Sequence, residues 1–181
     1  MTVVMRRMHA RRYRWAGLLL VSLLGVSSCA GSSSYEIPET LCGRSVDAAS
    51  LRPLLPDGKE IKGQVQESEE KSAMCVVVID GRGVLFIEEF RDQGKFDVLE
   101  HMKESQLSKK PAKSYVPGDS VIADGNFVSM NPCPARGDKS NYILDVFLEG
   151  DAADTKKLRK ELETFAASYL PEGLKKMGCV T

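Results

Sequence analysis

Ala73-Met74-Cys75-Val76-Val77-Val78-Ile79-Asp80-Gly81-Arg82-Gly83-Val84-Leu85-Phe86-Ile87-Glu88-Glu89-Phe90 reads as a strand, a turn and a second strand. Residues 73–80 are apolar and rich in β-branched side chains, the composition of a central strand. Asp80-Gly81-Arg82-Gly83 turns the chain, and residues 84–90 return beside it. Upstream, Ile61, Gly63 and Val65 alternate with polar neighbours, so residues 60–66 are expected as a strand with one wet face. Residues 67–72 are charged and form the connecting loop. Three strands in succession make an antiparallel meander.

Outward from that meander the pattern changes period. Ser45 is placed to cap a short helix carrying Val46, Ala49 and Leu51, with Asp47 near its positive end. Pro53 ends that helix, and Pro56-Asp57-Gly58 turns the chain. On the other side, Phe96, Val98, Leu99 and Met102 have helical spacing over residues 95–107. Residues 108–120 hold Pro111, Pro117 and Gly118 and are expected as a surface loop. Residues 121–123 and 126–130 flank Asp124-Gly125, a two-residue hairpin signal. Tyr142, Leu144, Val146 and Leu148 alternate along a strand at 141–149. Asp151 or Asp154 then caps a helix over 155–170, with Leu158, Leu162, Phe165, Ala166 and Tyr169 on one stripe. Pro171 and Gly173 are expected to break it. The order α-βββ-α-βββ-α predicts an α+β fold, an antiparallel β-sheet with helices packed on one face.

The first thirty residues have another design. Arg6, Arg7, Arg11, Arg12 and Arg14 precede an apolar run from Trp15 through Val26, and no acidic residue occurs among the first 28. The run is shorter than the roughly 20 residues that a membrane-crossing helix needs. A charged start, a short apolar middle and small residues at Ser27 and Ser28 form a secretory signal. Tyr13-Arg14-Trp15 after Arg11-Arg12 departs from the twin-arginine pattern, which leaves the general secretory route. Val26-Ser27-Ser28-Cys29 resembles the lipobox of bacterial lipoproteins. The resemblance implies that Cys29 receives a diacylglyceryl group and that a peptidase cuts before it. Two acyl chains hold a protein on a bilayer where one holds only marginally. Residues 1–28 are thus expected as signal peptide, 29–38 as a lipid-anchored tether (AGSSSYEIP after Cys29) and 39–181 as a single domain. In this layout the chain resembles small actinobacterial lipoproteins, in which a four-cysteine exported domain follows a serine-rich tether. That likeness brings no catalytic residue with it.

Charge and cysteine count agree with this address. Without residues 1–28 the chain carries 20 basic and 25 acidic residues, a net charge near −5. Such a balance argues against nucleic acid, which needs clustered Lys and Arg. Of five cysteines, lipidation of Cys29 leaves Cys42, Cys75, Cys133 and Cys179 to pair in an oxidising compartment. Three connectivities are possible. Cys42–Cys75 with Cys133–Cys179 closes the shorter loops, each adding roughly 4 kcal/mol on the chain-entropy estimate. The absence of C-x-x-C spacing and of nearby histidine argues against zinc or thiol-redox chemistry.

Candidate chemistry is sparse. His101 is the single histidine after the signal and reads as a surface residue. Glu88 and Glu89 are strand neighbours and point to opposite faces, so they cannot share a proton as an acid–base pair would. Asp80-Gly81 and Asp124-Gly125 lack the ligand spacing of calcium or phosphate loops and read as hairpin turns. Lys109, Lys110 and Lys113 form the basic cluster of a solvated loop. The expectation is a lipid-anchored extracytoplasmic binding or interaction domain with no catalytic residue, metal or cofactor. Its partners are the membrane through Cys29 and a small ligand, wall component or envelope protein. The alternative is an envelope hydrolase with two carboxylates brought together on the sheet.

Overall fold

The computed structural model describes residues 34–104, 109–149 and 158–180, all within one compact unit, Gly31–Thr181. The expected signal peptide, Cys29 and the start of the expected tether lie outside the described residues. A small hairpin of β1 (Thr40–Leu41) and β2 (Arg44–Ser45) precedes α1 (Ala48–Leu51) and a 3-10 turn (Arg52–Leu54). The meander follows as β3 (Ile61–Ser68), β4 (Ser72–Ile79) and β5 (Arg82–Gln93). Next come α2 (Val98–Glu104), β6 (Lys109–Lys113), β7 (Asp119–Asp124), β8 (Asn126–Pro132), β9 (Asn141–Leu148) and α3 (Arg159–Lys176).

Seven strands form one antiparallel sheet in the order β3-β4-β5-β9-β8-β7-β6. The quoted stretch is its centre. Ile79 pairs with Arg82 across Asp80-Gly81, both with positive φ, 49° and 82°, as a two-residue hairpin turn requires. The Asp80 carboxylate accepts from the backbone N–H groups of Lys59 and Glu60 at 2.9–3.2 Å, which closes this end of the sheet. Asp124-Gly125 turns as expected, with Ala123 opposite Asn126.

The predicted order and helix placement need correction. The sequence pattern puts every helix on one face, but the helices divide. Leu162, Phe165, Ala166, Tyr169 and Leu170 of α3 pack with Leu51 of α1 on Cys75, Val77, Leu85, Ile87, Leu144 and Val146. Val98 and Met102 of α2 pack instead with Val121, Ala123, Val128, Met130 and Ile143, the alternate residues and therefore the opposite face. The reason is connection geometry. β5 pairs with β9, so the chain leaving β5 must travel to the far edge, and α2 covers the second apolar face of β7–β9 on the way.

Residues 108–120, expected as loop, contain β6. Short, Pro-bearing and Lys-rich, it has none of the period-2 signal of a buried strand, yet those traits suit an edge. With β1–β2 this makes the observed order ββα-βββ-α-ββββ-α. Ser45 lies in β2 and does not cap α1. Asp47 does, accepting from Ala49 N at 3.1 Å and Ser50 N at 3.3 Å. Pro171 does not break α3, which runs on to Lys176. A helical proline costs about 3 kcal/mol; burial of Gly173 and Met177 and the Cys133–Cys179 bridge offset it. The predicted helix start at Thr155 and caps at Asp151 or Asp154 lie outside the described residues.

The tether is shorter than read. Tyr35, assigned to it, is buried, its hydroxyl donates to Pro56 O at 2.6 Å and Arg52 stacks on its ring at 4.4 Å. Both disulfides have the expected connectivity, Cys42–Cys75 and Cys133–Cys179.

Candidate functional site

Along β5, Leu85, Ile87, Glu89 and Arg91 all face α3, and all are buried. An acid and a base at core positions must be explained by partners. Glu89, 2% exposed, has three. Its Oε2 accepts from Arg44 Nε at 3.0 Å and from the Tyr169 hydroxyl at 3.2 Å, and its Oε1 accepts from the Tyr142 hydroxyl at 3.0 Å. Arg44 arrives there because the β1–β2 hairpin turns over Cys42 and Gly43, at φ 50° and 75°, and Cys42 is bonded to Cys75 of β4. Gly173 lets α3 come this close, since a Cβ there would collide with the Tyr142 hydroxyl. Burial, reinforced by the Glu89 carboxylate, pushes both phenols far above their ordinary range, so both keep the protons they donate.

A cavity of about 40 Å³ adjoins this cluster, lined by Arg44, Glu89, Tyr169, Met74 and the Cys42–Cys75 bridge. It has room for water but not for a substrate. The cluster is a satisfied polar core.

The larger opening, about 500 Å³, lies at the opposite end of the sheet from the Asp80-Gly81 turn. Lys71 and Asp92 line it from the β4 and β5 ends, with Ala135, Arg136, Lys139 and Ser140 from the loop after β8. Asp92 accepts from the Ser140 hydroxyl at 3.2 Å. Glu70 accepts from Arg91 at 2.8 Å and from Arg136 at 3.3 Å, which ties the opening to the buried layer. Arg91 also donates to Met177 O at 3.2 Å.

On the other face of β5, Glu88 sits directly opposite Asp145 of β9. Asp145 is half-buried, but its Oδ1 is shut away from solvent with no hydrogen-bond partner among the described residues. Burial, and secondarily the facing Glu88, pushes its carboxyl up to about 7. Sequence reading separates Glu88 from Glu89 correctly but misses this cross-strand acid, because a sequence separation of 57 between Glu88 and Asp145 hides the pairing. Glu89 carried a usable signal: a charge at a position where the alternation demands an apolar residue.

The remaining predicted residues are placed as follows. His101 is exposed on α2, with its ring edge against Phe96 at 5.2 Å. Lys109, Lys110 and Lys113 lie on β6. No group of three or more His, Cys, Asp or Glu suited to a metal occurs among the described residues, and none of their helices is long and apolar enough to cross a membrane. Compared with protein-family models, curated proteins and solved structures, the chain finds no match.

Proposed function

We propose that this chain is a lipid-anchored extracytoplasmic domain of the cell envelope, held on the outer face of the cell membrane through Cys29. It works by binding a small ligand, a wall component or an envelope protein, without catalysis or nucleic acid. The observation that carries this reading is the cysteine pairing. Cys42–Cys75 and Cys133–Cys179 consume four of five cysteines, which leaves Cys29 for modification. Paired cysteines also favour an oxidising compartment. The open polar cleft at one end of the sheet supplies a place to bind. Cys29→Ser tests the anchor. The variant is expected to leave the membrane fraction, and native mass spectrometry should show the parent alone bearing diacylglycerol. A variant that still sediments with membranes overturns the proposal.

One observation favours a second reading, the envelope hydrolase. A carboxylic acid held protonated near neutrality beside a second carboxylate is the pairing that glycoside hydrolysis uses, and Asp145 with Glu88 has that form. The cleft and the small cavity contain neither residue, which is why binding is preferred. Release of reducing ends from purified wall polysaccharide would establish the hydrolase.

A further inference from the structure

We infer that the cleft formed by Lys71, Asp92, Arg136, Lys139 and Ser140 is an oxyanion site that takes the phosphate group of a ligand. The site stands on the cleft itself and not on the anchor proposed at Cys29.

Charge comes first. Three cations and one acid line the opening, a local excess of positive charge on a chain whose residues 29–181 are acidic. Adding Asp138 of the same loop, and Glu70 with the Arg91 that pairs to it, leaves a net of one positive charge. The cations are only partly committed, since Arg136 bonds Glu70 through one edge and meets Asp92 only at longer range. Lys71 Nζ lies 3.9 Å and Arg136 Nε 3.8 Å from Asp92, too far for a hydrogen bond. The Lys139 ammonium has no ion pair among the described residues. Two ammonium groups and one edge of a guanidinium therefore face the opening with hydrogens to give, the donor set that phosphate recognition uses.

The scaffold is already arranged. Arg136 is held from behind by Glu70, which the 9%-exposed Arg91 side chain grips in turn. The loop closes on itself through Cys133 N to Ser140 O at 2.9 Å and Ser140 N to Gly137 O at 2.9 Å. The Cys133–Cys179 bridge ties it to the end of α3. Little backbone ordering remains for a ligand to meet. A volume of about 500 Å³ falls in the range of small-molecule sites, larger than one phosphate fills, so the group is borne on something bigger.

Titration of isotope-labelled, detergent-extracted chain with inorganic phosphate tests the site by NMR. Saturable shifts confined to Lys71, Asp92, Arg136, Lys139 and Ser140 are expected. Lys71→Glu with Lys139→Glu should weaken binding about tenfold or more with an unchanged melting temperature. Scattered, non-saturating shifts, or an unaffected variant, overturn the site. Lys139→Gln alone, at an exposed position, serves if the double variant fails to fold, and should still lower affinity several-fold. A second arm compares chain anchored on phosphatidylcholine vesicles with chain on vesicles containing phosphatidylglycerol. Equal phosphate affinity is expected for a soluble phosphorylated ligand; competition by the anionic headgroups assigns the site to lipid phosphate instead. Repeating the titration on Cys29→Ser separates the readings, because the cleft does not need the anchor to bind phosphate.

Discussion

Glu89 and Asp145 lie at neighbouring levels of the same sheet, on opposite faces, and meet opposite fates. Glu89 is the more deeply buried, yet an arginine and two tyrosines donate to it. Asp145 is less buried by area, but faces Glu88, and one of its oxygens has no donor. Burial raises the Asp145 carboxyl, whose Oδ1 lacks a donor, whereas three donors compensate the burial of Glu89. Depth alone therefore does not say whether a carboxyl group is satisfied; its donors do.

The largest effect expected from breaking this contrast is at Arg44. Arg44→Ala leaves a buried carboxylate with only two phenol donors and should cost about 3–5 kcal/mol in urea unfolding. Replacing both partners, Arg44→Met with Glu89→Leu, should recover much of that loss; an unrecovered double variant would mean that Arg44 acts through something other than the pair. Asp145 should behave in the reverse sense. Its carboxyl holds its proton more tightly folded, near 7, than unfolded. Its favourable contribution is complete below the unfolded value and is lost as pH rises through about 7. Asp145→Asn cannot ionise, so its advantage over the parent should widen by about 2–3 kcal/mol between about pH 5 and 8. A constant gap across that range would show that Asp145 is an ordinary carboxylate. The smallest effect is at Gly173. Alanine normally strengthens a helix by up to about 1 kcal/mol over glycine, but here its Cβ meets the Tyr142 hydroxyl and Glu89. A net loss of about 1–3 kcal/mol is expected, read as a lower melting temperature. A stabilised Gly173→Ala would remove the close approach on which the Glu89 cluster depends.

The central meander and both disulfides were legible because they follow from local signals. β-branched runs, two-residue turns and loop lengths are all read within a short window. The Glu89 cluster was not, since Arg44 reaches it from 45 positions away and Tyr169 from 80. Spacing within α2 announces an apolar stripe but not which face of the sheet receives it. That depended on β5 pairing with β9. Pro171 misleads for a related reason: local propensity stops the helix, while buried neighbours and a distant cystine carry it onward. The cleft needs two sequence regions, Lys71–Asp92 and the loop at 135–140, neither of which is basic enough alone to stand out.

Both margins of the seven-stranded sheet are irregular. β3 slips register between Val65 and Glu67 and exposes Lys62, Gln64 and Gln66. β6 slips between Lys109 and Ala112 and includes Pro111, which has no N–H to offer. Neither margin presents a straight ladder of free donors and acceptors, so a neighbouring copy finds no template on which to grow a continuous ribbon. Molecules crowded side by side in a two-dimensional film, as the anchor proposed at Cys29 would arrange them, can thus remain separate particles rather than polymerise through their β-structure.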